Sequence, residues 1–172
     1  VLIIFNNLLQ SLFDSQIKTL GIVMVGIFIM FIILFRSVKL SLIGIIPNFI
    51  AASFVLGFIG LLNIPLDMMT ITIAAITIGI AVDNSIHYIY RFKYEKEKIN
   101  VEKQEIATNC HQSVGRAILS TSFTIIFGFS ILVLSNFIPT IYFGVFTGLA
   151  MFTALFLVLT LLPNMLNLFY NK

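Results

Sequence analysis

The sequence is short of charge: Asp, Glu, Lys and Arg make up 10% of its 172 residues, where a soluble domain carries about 25%. Ten basic and seven acidic side chains cannot clothe a water-facing surface of this size, so a soluble globular domain is excluded. Tryptophan is absent, and the one cysteine, Cys110, rules out an internal disulfide framework. There is no P-loop, no serine nucleophile elbow and no cluster with metal-ligand spacing. His87 and His111 stand far apart with no acidic or thiol pattern around them that suggests zinc. An enzyme, an ATP-driven machine and a metal or organic cofactor are therefore not expected. The net charge of +3 needs no nucleic acid to explain it.

What the chain has is apolar length. Hydrophobic residues reach 59%, which also excludes disorder and leaves an integral membrane protein. Residues 19–35, 40–66 and 117–171 carry no charge, and 68–90 carry one, Asp83. A membrane helix needs about 20 apolar residues, so the last run must hold two. Asn136-Phe137-Ile138-Pro139 near its middle reads as the turn between them. The expectation is an all-α membrane protein with five spans, at about 19–36, 40–62, 66–90, 116–135 and 139–162. The runs are continuous and do not alternate, which argues against a β-barrel. Before the first span, residues 8–17 repeat apolar side chains every three or four positions, as in an amphipathic helix lying on the surface. Pro47 reads as a kink and Pro163 as a helix end. Gly144 and Gly148, with Ala150 and Ala154 beyond, read as a close helix contact.

The basic residues orient the bundle. Arg36, Lys39, Arg91, Lys93, Lys96, Lys98, Lys103, Arg116 and Lys172 fall in one set of loops, and only Lys18 falls in the other. By the positive-inside rule, 36–39, the loop 91–115 and the C-terminus are cytoplasmic. That loop alternates acids and bases with Val101, Ile106, Cys110 and Val114, which suggests a short helix along the membrane surface with a solvated charged face. Cys110 is read as an inert small residue.

Asp83 is the informative residue. It lies eight positions before Arg91, about 12 Å of helix rise, and so within the hydrocarbon. A carboxylate there costs at least about 2.5–3.5 kcal/mol on insertion scales, so it must face protein or water. Ala75, Gly79, Asp83 and His87 recur every fourth residue and form one stripe, with the small pair suited to close helix packing. Asp83 is therefore expected in a helix seam. Ser120, Thr121, Ser122 and Thr124 on the fourth span, at a similar depth, are its expected hydrogen-bonding partners. A low dielectric disfavours the charged carboxylate, so such a group can take up and release a proton, with His87 relaying it inward. A proton driven by the membrane potential can then power a conformational cycle. Two plainer readings stay open: Asp83 as a protonated packing residue, and the fourth-span hydroxyls as groups that satisfy their own backbone.

The residues Gly79-Ile80-Ala81-Val82-Asp83-Asn84-Ser85-Ile86-His87-Tyr88-Ile89-Tyr90-Arg91-Phe92 resemble the GxxVDxxIHxxxRF signature of the resistance-nodulation-division (RND) superfamily. The nearest branch is the MMPL-type exporters, which share their membrane half with the sterol-sensing domains of Patched-like proteins. Phe35-Arg36-Ser37 with Ile46-Pro47, Ala117-Ile118-Leu119-Ser120-Thr121-Ser122 with Gly128-Phe129, and Phe143-Gly144 with Leu161-Leu162-Pro163 resemble other parts of the same block in order. The resemblance implies half of a twelve-span transporter, by preference the C-terminal five-helix half, spanning residues 19–170. Residues 1–18 would be the tail of an extracytoplasmic porter domain outside this sequence, and the start at Val1 suits a piece of a longer protein. It also implies that Asp83 holds the relay position. Many relatives have a second acid or a tyrosine next, where this chain has Asn84, which cannot titrate.

The first function expected is thus the membrane block of a proton-driven exporter of lipids or hydrophobic compounds in the plasma (bacterial inner) membrane. Its partners would be the bilayer, the remaining half with its porter domains, a hydrophobic or lipid substrate and a second copy in a homo-oligomer, with protons as the coupling ion. A lipid- or sterol-sensing module that binds without pumping is the alternative. A scaffold with a decayed relay is the third reading.

Overall fold

The structure, a computed structural model, describes residues 2–64, 68–97 and 103–169. Every described element is helical: α1 (Leu2–Phe35), α2 (Val38–Leu61), α3 (Met68–Lys96), α4 (Lys103–Cys110), a π-helical segment (His111–Gly115), α5 (Arg116–Ser130), a short 3-10 turn (Ile131–Leu134) and α6 (Ile138–Phe169). Five stretches are long and apolar enough to cross a membrane: Ile17–Phe35, Val38–Leu61, Thr72–Lys96, Glu105–Leu134 and Ile138–Phe169. The all-α, five-span architecture read from the charge gaps is therefore the observed one.

Several boundaries differ from the expectation. Residues 8–17 do not form a separate helix, because α1 is unbroken from Leu2 to Phe35. The side chains of Leu8, Leu9, Leu12, Phe13 and Gln16 lie outside the described set. The expected loop 91–115 is largely helix. Helix α3 runs on to Lys96, and α4 continues through the π segment into α5, so no separate surface helix is left. The reason lies in packing: Ile106 and Cys110 are buried in one cluster with Phe31, Tyr88, Ile89 and Phe92. Lys98, Val101, Asp67 and Lys172 lie outside the described residues.

The breaks follow local chemistry. Arg36, at φ 50°, ends α1, and Asn63, at φ 53°, follows α2; asparagine tolerates this left-handed region better than most residues. Pro139 sits in the first turn of α6, where its missing N–H is no loss. Pro163 does not end a helix as expected, since α6 continues through it to Phe169.

The centre of the block is α6 packed on α3 and α2, with α5 against its other side and α1 leaning on α2. In lipid the hydrophobic effect does not drive helices together, so close fit matters. At Gly44 on α2, a Cβ would come within 2.7 Å of both Ile89 on α3 and Phe31 on α1. At Gly144 on α6, a Cβ would come within 2.7 Å of the Phe129 carbonyl oxygen. A Cβ at Gly148, also on α6, would meet no atom within 4 Å.

Candidate functional site

Helix α3 carries the site, and its faces differ. Ile73, Ala74, Thr77, Ile78, Ala81, Val82, Asn84, Ser85, Tyr88, Ile89 and Phe92 are buried against the other helices. Ala75, Gly79, Asp83, His87, Tyr90 and Tyr94 are exposed, and they repeat at intervals of three and four residues. That spacing makes them one continuous outer stripe.

Asp83 is on this outer stripe. Its side chain is 68% exposed, and His87 one turn on is 65% exposed. His87 Nε2 lies 3.5 Å from Asp83 Oδ1, so the two face each other along the helix. At 1.5 Å per residue, Asp83 sits about 16 Å from Thr72 and about 20 Å from Lys96, near the midpoint of the span. Gly79 has open space where a Cβ would be.

The expected seam between Asp83 and the fourth span is therefore not found within this block. Asp83 turns away from Ser120, Thr121, Ser122 and Thr124. The Thr121 hydroxyl donates to the Ala117 carbonyl at 3.0 Å and that of Thr124 to the Ser120 carbonyl at 2.9 Å, the backbone-satisfying arrangement kept open as the plainer reading. Ser120 is exposed, while Ser122 is buried and meets the residue next to Asp83: Asn84 Nδ2 is 3.5 Å from Ser122 Oγ. One residue on, the Ser85 hydroxyl donates to Asn48 Oδ1 on α2 at 3.3 Å, and Asn48 Nδ2 donates to the Gly44 carbonyl at 2.9 Å. Asn84 and Ser85 thus stitch α3 to α5 and α2. Ala75 and Gly79, expected to pack against a helix of this chain, are likewise on the open side.

Two polar groupings escaped the sequence reading. Glu95 was expected on a solvated face but is 1% exposed, and its Oε1 lies 2.6 Å from Arg91 Nη2. Arg91 also lies over the Tyr94 ring at 5.3 Å. The four-residue spacing of Arg91 and Glu95 was a visible signal for an ion pair along one helix face. The second grouping is His111, an exposed side chain that reaches both α3 and α6. Its Nε2 is 2.9 Å from the Leu159 carbonyl, and its Nδ1 is 3.0 Å from the Tyr88 hydroxyl. Pro163, four residues beyond Leu159, marked that carbonyl as short of its helical donor.

The profile of the MMPL family matches residues 4–170. A protein of Methanocaldococcus jannaschii described as a membrane protein is 33% identical over 153 residues, covering 89% of this chain and 39% of that protein. The chain therefore spans about two fifths of that relative's length.

Proposed function

The chain belongs to the MMPL family and is a multi-pass membrane block of the RND type, and from that premise we propose that it serves a proton-motive-force-driven exporter of lipids or other hydrophobic compounds. In this reading Asp83 is the proton-relay carboxylate and His87 its neighbour toward the basic end. Asn84 holds α3 in place beside it.

The observation that carries the reading is the Asp83–His87 pair at the middle of a span, turned away from the helices of its own block. Hydrocarbon tolerates such a pair poorly, so the stripe from Ala75 to His87 is a face for protein or a water-filled path. The open space at Gly79 suits close approach by another helix. The natural occupant is the second repeat of the transporter. By the positive-inside rule the end bearing Arg36, Lys39, Arg91, Lys93 and Lys96 is cytoplasmic, as is the C-terminus, in a bacterial-type inner membrane.

The test is infrared titration of the full-length protein in lipid, with Asp83→Asn as control. A carboxyl band that changes protonation between about pH 5 and 9 and vanishes in the variant is the expected result for a coupling carboxylate. Asp83→Asn is also expected to abolish export while leaving the fold intact. Normal export by that variant would refute the relay role.

The alternative, a module that binds lipid without pumping, is favoured by a different feature. An open groove of about 290 Å³ between α2 and α6 is lined by Leu42, Ile43, Ile46, Met165 and Phe169, with Lys39 at its polar end. Tight lipid binding there with an Asp83 band that never changes would select it.

A further inference from the structure

Helix α6 contains its own defect. Pro163 has no N–H, so the Leu159 carbonyl four residues earlier loses the donor that α-helical geometry would give it. His111 supplies one, with Nε2 2.9 Å from that oxygen. A carbonyl can only accept, so the ring donates to Leu159 when Nε2 carries the proton and to the Ala107 carbonyl, 3.0 Å from Nδ1, when Nδ1 does. The Tyr88 hydroxyl, 3.0 Å from Nδ1, donates to that nitrogen when it is bare and accepts from it when it is protonated. The rings meet edge to face at 83°, with centroids 5.7 Å apart. His111 opens the π-helical segment, a departure from α geometry that often marks a working part of a helix. Three elements are thus tied through one imidazole: α3 by Tyr88, the fourth span by His111 and α6 by Leu159.

The position of the tie matters. Tyr88 lies five residues from Asp83 on α3 and is fully buried. Beyond Pro163, the last turns of α6 carry Met165 and Phe169, which form one wall of the α2–α6 groove. A proline-broken turn is where a helix bends most readily. Movement of α3 would therefore reach the groove wall through the histidine.

Resting on the exporter reading above, we propose that Tyr88, His111 and the Leu159 carbonyl form a coupling clasp, with His111 as a positioning residue that transmits the state of the Asp83 face of α3 to the Pro163 hinge of α6. The groups facing the imidazole from the packed elements are Tyr88 of α3, the Ala107 carbonyl of α4 at 3.0 Å from Nδ1 and the Leu159 carbonyl of α6. The Leu159 contact uses Nε2 and the Tyr88 and Ala107 contacts share Nδ1, so the two sides of the ring hold different elements.

The test is a double-mutant cycle in the full-length protein in nanodiscs, using His111→Ala, Pro163→Ala and both together. Pro163→Ala returns an N–H to the Leu159 carbonyl and should make His111 largely dispensable. The expected result is a fall in thermal midpoint of several degrees for His111→Ala alone, and a fall less than half as large beside Pro163→Ala. Equal falls in both backgrounds would overturn the clasp. A second measurement separates coupling from mere support: hydrogen exchange of residues 160–169 in Asp83→Asn, with and without His111. The Asp83 change should alter exchange there only when His111 is present. An unchanged α6, or a response that persists in His111→Ala, would overturn the coupling role. If His111→Ala does not fold, His111→Gln takes its place in both measurements. Its amide can still donate to Leu159, so the midpoint should hold while the Asp83 response is lost; a retained response overturns the proposal. An Asp83 carboxyl that never titrates would sink the exporter reading instead, and the cycle would still report on the clasp.

Discussion

Asp83 and Ser85 are two residues apart on α3 and lie in opposite surroundings. Ser85 is fully buried and hydrogen-bonded to Asn48 on α2. Asp83 is two-thirds exposed and, among the described residues, its ion-pair partner is His87 on its own helix. The inner face of α3 is packed: Asn84 and Ser85 reach α5 and α2, Thr77 bonds its own helix backbone, and the apolar side chains fill the core. The outer face carries a polar pair and small residues at mid-membrane depth, exposed among the described residues. The difference shows that this block holds itself together by one face of α3 and offers the other outward. The residues that hold the block together and the polar pair turned outward are thus separated by a rotation of about 100–200° around a single helix.

Substitutions can break or sharpen that contrast. The largest loss of stability is expected from Ser85→Leu, which overfills a buried site and orphans the Asn48 amide oxygen, at about 2–4 kcal/mol. A thermal melt in lipid checks it, and Asp83→Leu should show no comparable loss of fold. Next come two glycine-to-alanine changes. Gly144→Ala puts a Cβ 2.7 Å from the Phe129 carbonyl and 2.8 Å from Leu132 Cβ, and should destabilise by about 1–3 kcal/mol. Gly79→Ala meets no atom of this chain, so the same melt should show a neutral effect or a gain of up to about 1 kcal/mol from helix propensity. A matching loss at Gly79 would mean that the face is filled even without a second repeat. The smallest effect is expected from Asn84→Ala, which removes one long hydrogen bond to Ser122, about 0.6 kcal/mol by the average for such bonds in membranes.

Much of this was legible in the residues. The charge gaps gave five spans because an uncompensated charge is expelled from hydrocarbon whatever the tertiary structure. Asp83 stood out for the same reason. Its stripe with Ala75, Gly79 and His87 was legible because helical spacing alone puts residues four apart on one face. What spacing does not contain is the direction of that face. The stripe was assigned to the fourth span on depth alone, and the serine and threonine hydroxyls there bond their own backbone or, in the case of Ser122, face Asn84. Pro163 was read as an end because a lone helix has no remedy for a missing donor; here the remedy comes from His111, 48 residues earlier in the chain.

The sequence by itself determined the solvent of this protein, the number of its membrane spans and the residue that does not belong in lipid. Those depend on composition and on periodicity within one helix. Only the tertiary structure decided that Asn84 and Ser85 hold the block together while Asp83 and His87 are presented outward, that Glu95 is buried against Arg91, and that α6 passes through Pro163 unbroken. Each of these turns on which helix lies against which face. Between apolar helices in lipid that choice is made by the fit of surfaces, which the order of residues along any one helix does not carry.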